Sequence, residues 1–233
     1  MEQISGEEVI AKVKAKIGDK TLMAFSGGKD SVAAFIALRD HFEIVPYYLY
    51  RIPGLDFVEE TLSYYEKAMG VKIIRLPHEA LPRWLNNFVF QSPGNAAVIE
   101  AAQLPEHEYS SVIEWACEIA GLDHSNIMSA IGTRAADNTF RRVHFKTHGA
   151  INWDKKQYAP IWDWNKERLV TAIEKSGIKL CHDYHLFGRS FDGIDYRFMV
   201  QIKKHFPRDW KKIETWFPLI GAEIYRYERG PAP

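Results

Sequence analysis

Apolar and polar positions repeat with two different periods along the chain. Short apolar runs at Thr21–Ser26 (TLMAFS), Ile44–Arg51 (IVPYYLYR), Lys72–Pro77 (KIIRLP) and Asn126–Ile131 (NIMSAI) predict buried strands. Spacings of three and four predict helices over Gly6–Ile17, Ser31–His41, Phe57–Met69 and Asn165–Ser176, the last two stopped by Gly70 and Gly177. Helical pieces are also expected at Leu81–Gln91, Asn95–Leu104 and Glu108–Gly121, broken at Pro93-Gly94 and Pro105, with a short helix at Asp137–Phe145. Lys146–Lys156 and Ile178–Gly193 read as loops, and Tyr158–Trp162 as a short extended piece. Helices over Ile194–His205 and Arg208–Tyr225 and a Gly-Pro-Ala-Pro stop complete the chain. Strands alternating with helices predict an α/β fold with a mostly parallel sheet and a helical C-terminal tail.

Composition narrows the picture without changing it. The 233 residues suit one domain with an appendage, divided here as 1–190 and 191–233, and 46% hydrophobic content supports a folded core. Thirty basic residues balance thirty acidic ones, which argues against a chain that coats nucleic acid or membrane through bulk charge. Two cysteines, Cys117 and Cys181, make neither a disulfide scaffold nor an iron–sulfur site. No run approaches the roughly 18 apolar residues of a membrane span, and no signal-peptide core stands at the N-terminus, so a cytoplasmic protein is expected, with homo-oligomerisation left open.

The chemistry concentrates in Ser26-Gly27-Gly28-Lys29-Asp30-Ser31, set between a predicted strand and a predicted helix. Glycines allow a sharp turn and close ligand approach, and a helix N-terminus offers free N–H groups and a positive dipole end, so the segment suits phosphate. Lys29 adds positive charge, the Ser26 and Ser31 hydroxyls add donors, and Asp30 is placed either to bind Mg2+ or to cap the helix. The spacing is not that of GxxxxGK[ST]. Arg134, just past a predicted parallel strand, lies where α/β sheets bind ligands, and an anion contact is expected in preference to a surface ion pair. Arg141 and Arg142 are candidates to close on the same anion.

The hexapeptide after its apolar strand resembles the pyrophosphatase loop of the adenine-nucleotide α-hydrolase (PP-loop) superfamily. Gly132-Thr133-Arg134 followed by Arg141, and Tyr158-Ala159-Pro160-Ile161-Trp162 leading into a helix, are similar to segments of the phosphoadenosine phosphosulfate (PAPS) reductase family. The resemblance implies a Rossmann-like parallel-sheet sandwich. It also implies an enzyme that binds ATP (or PAPS or adenylyl sulfate) with Mg2+, cleaves between the α and β phosphates and adenylates an acceptor with release of pyrophosphate. On the matched positions, nucleotide contacts fall to Ala24, Phe25, Ser26, Gly27, Gly28, Lys29, Asp30, Ser31, Gly132, Arg134 and Arg141. Lys29, Asp30 and Arg134 would be catalytic, with Asp30 the metal ligand.

The family's Glu-Cys-Gly-x-His segment has no counterpart after Cys181, so reductase chemistry would need an external thiol or Cys181 itself. The aspartate that family members often carry after the second strand is replaced by Tyr48-Leu49-Tyr50-Arg51. A non-catalytic nucleotide-binding module is a further alternative. Cys181-His182-Asp183-Tyr184-His185 and the pair His144, His148 lack zinc-site spacing, and no zinc is expected. The basic strip Lys203, Lys204, His205, Arg208, Lys211 and Lys212 reads as a solvated helix face, the alternative being a docking patch for tRNA or DNA.

Overall fold

The computed structural model describes residues 4–229, so the stop expected at 230–233 lies outside the described residues. Six strands form one sheet in the order β3-β2-β1-β4-β6-β5. They are β1 (Lys20–Ala24), β2 (Glu43–Tyr50), β3 (Ile74–Pro77), β4 (Ser129–Ala130), β5 (Ile151–Asn152) and β6 (Gln157–Tyr158). All pairings are parallel except β5 with β6. The chain runs outward from β1 to β2 to β3, then returns to place β4 on the other side of β1. This is the Rossmann-like, doubly wound α/β arrangement, and the reversal between β1 and β4 leaves a crevice at the strands' carboxyl ends.

The period of two along β1 explains why both faces are covered. Met23 and Phe25 join a large core with α1 (Gly6–Ile17), α2 (Lys29–Leu38), α3 (Asp56–Met69) and α8 (Lys166–Ser176), through Val13, Phe35, Leu62 and Leu169. Leu22 and Ala24 belong to a smaller core with Tyr47, Leu76 and α6 (Tyr109–Ala120). Among the described residues, no helix is long and apolar enough to cross a membrane.

Several elements differ from the sequence-based expectation. The strand expected over Asn126–Ile131 pairs only at Ser129–Ala130, because the Asp123 carboxylate accepts from the Ser125 N–H and winds His124–Asn126 into a tight turn. The helix expected over Leu81–Gln91 is α4 (Ala80–Asn86), stopped before Phe88 and Phe90, both at φ of 53°. The helix expected to end at Phe145 runs on as α7 (Thr139–His148), and the supposed loop after it supplies β5 of a hairpin with β6. Ile178–Gly193 contains α9 (His182–Phe187). The single helix expected over Arg208–Tyr225 is two, α11 (Pro207–Trp216) and α12 (Gly221–Arg229). Pro218 pushes Phe217 out of helical geometry, at φ −135° and ψ 76°, and breaks the run. α5 (Pro93–Ala102) starts two residues before the expected Asn95, because Ser92 caps it and Pro93 fits the first helical position instead of breaking the chain there.

The helical extension expected over 191–233 packs into the large core. Phe198, Met199 and Ile202 of α10 (Tyr196–His205), Trp210 and Ile213 of α11, and Ile224 of α12 are buried there. Asp209, 2% exposed, ties this tail to α3: its carboxylate accepts the Asp56 N–H at 2.6 Å and the Phe57 N–H at 3.1 Å. It caps a helix whose own preceding residue, Leu55, has no capping group. Asp209→Ala is expected to cost about 2 kcal/mol, read as a melting temperature about 4–8 °C lower, with Asp209→Asn recovering part of it. An unchanged melting temperature would remove this capping role.

Candidate functional site

Beyond Ala24 the chain turns through Phe25–Gly28, with Gly27 at φ 72°, a conformation that side chains other than glycine's rarely adopt. The turn is held from behind, where the Tyr65 hydroxyl of α3 donates to the Gly27 carbonyl at 3.0 Å. The Ser31 hydroxyl donates to the Gly28 carbonyl at 2.8 Å, closing the turn on its own helix. Gly28 is the N-cap of α2 and no side chain caps that helix. Its first turn therefore keeps the unsatisfied N–H groups and positive dipole end that attract phosphate.

On the far side of the crevice β4 leads into Gly132. A Cβ there would lie 2.9 Å from the Asp30 carbonyl carbon and oxygen and 3.1 Å from the Ser31 nitrogen. Only glycine lets the two segments meet this closely, and their contact seats the start of α2 at the switch point. The cleft between them has a volume of about 710 Å³. Of the residues expected to bind nucleotide, Ala24, Phe25, Ser26, Gly28, Lys29, Asp30, Ser31, Gly132 and Arg141 line it, while Gly27 and Arg134 do not.

Arg134 is the main departure from the expected anion contact. It is 4% exposed, and each of its three guanidinium nitrogens donates within the protein. Nε donates to Asp30 Oδ1 at 2.8 Å, Nη2 to Asp137 Oδ1 at 2.7 Å and Nη1 to the Trp164 carbonyl at 3.3 Å. It clamps the loop's aspartate to the segment after β4 and to the chain leading into α8. Asp30 Oδ2 faces Lys29 Nζ at 2.6 Å. Arg141 pairs with Asp137 and keeps 46% of its side chain exposed at the cleft edge. Arg142 is exposed and does not line the cleft.

The opposite wall comes from residues that periodicity did not point to: Arg51 after β2, His78 after β3, and the turn Gly188–Asp192 after α9. Ser190 faces the loop closely enough that a Cβ on Gly28 would lie 3.3 Å from its hydroxyl. Burial, assisted by the Arg51 charge, pushes the His78 imidazole down to about 4, so it is neutral near pH 7. Arg51 is also shifted down by burial. The absence of an aspartate after β2 was visible in the sequence, whereas the placing of Arg51 and His78 on the cleft was not.

Cys181 lies elsewhere. It lines a separate groove of about 300 Å³ between α3 and the segment before α9, and burial pushes its thiol up. Its Sγ donates weakly toward the Thr61 carbonyl at 4.0 Å. A thiol that is both outside the cleft and harder to ionise is poorly suited to attack a ligand at the loop. Cys117 is buried against α6's neighbours in the smaller core. In the basic strip, Lys212 donates to the Gly54 carbonyl and Asp56, and Lys203 lies over the Trp210 ring, so part of the strip fastens α10 and α11 to the fold. Among the described residues, no three or more His, Cys, Asp or Glu side chains converge as a metal site. Mg2+ commonly binds through one or two carboxylates plus substrate phosphates; Asp30 lies on the cleft wall, and with its Oδ1 held by Arg134, its Oδ2 would have to exchange Lys29 for the ion.

No family model matches the chain. It is 28% identical to an uncharacterized protein of Methanocaldococcus jannaschii over 86% of its own length, and it spans 42% of that protein's length. Among solved structures it is similar to a phosphoadenylyl-sulfate (PAPS) reductase from Candida auris, at a TM-score of 0.49 and 9% identity, over 82% of this chain and 88% of that one. It is also similar to an NH3-dependent NAD synthetase from Campylobacter jejuni, at 0.41 and 13%, over 98% and 96%.

Proposed function

We propose that this chain is a nucleotide-binding enzyme of the PP-loop kind, which grips ATP or a related adenine nucleotide by its phosphates and transfers the adenylyl group to an acceptor. One observation carries the reading: the Ser26–Ser31 turn, with an uncapped helix behind it, opens on the main cleft at the switch point between β1 and β4.

The amides at the start of α2 and the Lys29 ammonium meet the phosphate oxygens, where negative charge grows as the α–β bond breaks. Asp30 would hold Mg2+ together with the phosphates, and the ion would neutralise charge there. Arg134 does not touch the nucleotide; it holds Asp30 in place. An acceptor oxygen attacks the α phosphorus and forms a P–O bond, the bond to the bridging oxygen breaks, and pyrophosphate leaves with that electron pair. The acceptor classes this chemistry admits are a carboxylate, a nucleobase carbonyl and a sulfur oxyanion.

The test is calorimetric ATP binding, followed by pyrophosphate release and transfer of label from α-phosphate-labelled ATP across those acceptor classes. Release that depends on one acceptor supports the reading. Tight binding without turnover on any acceptor would leave a nucleotide-binding module, and no binding would remove the reading altogether. Cys181→Ser is expected to leave both ATP affinity and turnover unchanged. A loss of turnover in a folded Cys181→Ser protein would restore the internal-thiol reductase alternative.

A further inference from the structure

The carboxyl edge of the sheet carries a second polar feature that the loop chemistry does not use. β2 and β3 run parallel with Tyr50 opposite Pro77, so the residues that follow them, Arg51 and His78, emerge side by side. The His78 N–H donates to the Tyr50 carbonyl at 2.9 Å and holds that register one residue further. Both side chains line the cleft that contains the phosphate loop.

Their hydrogen bonding is unbalanced. His78 Nδ1 accepts the Ala80 backbone N–H at 3.0 Å, so this nitrogen carries no proton. The neutral ring then bears its proton on Nε2, which faces Arg51 Nη2 at 3.1 Å. The Arg51 N–H points at Nε2, and in the tautomer that the Ala80 contact selects both groups are donors. Two donors this close are stabilised by an acceptor that both can reach, and an oxyanion oxygen is such an acceptor. Among the described residues Arg51 makes no ion pair, and the nearby Asp192 carboxylate is already paired with Arg189. Arg51 is half-buried, Arg83 adds positive charge near His78, and no carboxylate bonds to the pair. Strands lie about 4.8 Å apart, so the pair sits roughly 5–10 Å along the sheet edge from the loop after β1.

We propose that Arg51 and His78 form a second anion subsite in the cleft, which receives an oxyanion group (carboxylate, sulfate or phosphate) of the acceptor while the nucleotide's phosphates occupy the loop. The assignment of that group to an acceptor rests on the adenylylation reading above; the subsite itself does not. Arg51 and His78 position the acceptor and leave the phosphates to Lys29 and the loop amides.

The experiment uses the full chain, crystallised with and without a non-hydrolysable ATP analogue and soaked in selenate, whose anomalous signal locates the ion. A peak within hydrogen-bonding reach of Arg51 and His78 is expected in both crystals, and it should vanish in Arg51→Gln and in His78→Phe. In solution, with the analogue saturating the loop, sulfate affinity should fall about tenfold or more in each variant, while affinity for the analogue stays within about twofold. Acetate titrated alongside distinguishes a carboxylate site from a tetrahedral-oxyanion site. No peak at the pair, a peak that survives Arg51→Gln, or unchanged sulfate affinity overturns the proposal. A fall in analogue affinity as large as the fall in sulfate affinity also overturns it, by placing Arg51 in the nucleotide grip. A selenate peak at the pair in a protein that fails to bind the analogue supports the subsite and removes the adenylylation reading.

Discussion

Lys29→Ala should lose adenylyl transfer by about a hundred- to a thousandfold while remaining folded. Removing one pre-positioned group from the site of developing charge typically costs that much. The cost to stability is small, because the Lys29 side chain is 36% exposed and its pairing with Asp30 is a partly solvated one. The measurement is pyrophosphate release at saturating and limiting ATP, beside a melting curve. The loss should appear mainly in kcat, since the helix start still binds phosphate without the lysine. Lys29→Arg should recover little, because the broad guanidinium does not reproduce a compact ammonium in so tight a turn. Normal turnover in a folded Lys29→Ala protein would dismiss the loop as the reaction centre.

Arg134→Ala should act differently, by weakening the protein before any ligand is added. The arginine side chain is 5% exposed, and its carboxylate partners Asp137 and Asp30 are 16% and 29% exposed. Removing one member of a buried pair costs about 3–5 kcal/mol because the partner charge is left unpaired. Solvent around Asp30 reduces this to about 2–3 kcal/mol, or a melting temperature about 5–10 °C lower. Turnover should also fall, because Asp30 loses its anchor, and Arg134→Lys should restore part of the stability with little turnover, lacking the three-way fork. If Arg134 instead met the nucleotide, as its motif position first implied, the ligand-free protein would melt normally and only ATP affinity would drop. The two outcomes separate a positioning residue from a ligand contact.

The difference between these two residues shows what could be read along the chain. Lys29 lies inside a six-residue segment whose glycines, hydroxyls and following helix all act on one another within a single turn, so its environment was legible locally. The partners of Arg134 were not. Asp30 lies 104 positions away, and the two meet only because Gly132 lets the end of β4 settle against the first turn of α2. The same holds for the opposite wall. The missing aspartate after β2 was legible in the sequence, but that Arg51 faces His78 depends on the register of β2 with β3. The turn Gly188–Asp192 reads as plain loop until α9 is seen to carry it over the cleft.

By itself the sequence determined the alternation of strands and helices, the parallel α/β class and the position of the Ser26–Ser31 turn between a strand and a helix. These follow from periods of two and of three to four and from short-range turn chemistry, which near neighbours decide. Only the tertiary structure decided that Arg134 is a buried clamp, that Cys181 lies outside the cleft, and that Arg51 and His78 face each other. Those facts depend on strand register and on contacts between segments far apart in the chain. No local pattern encodes them, because the free energy that brings such segments together comes from burying the whole core.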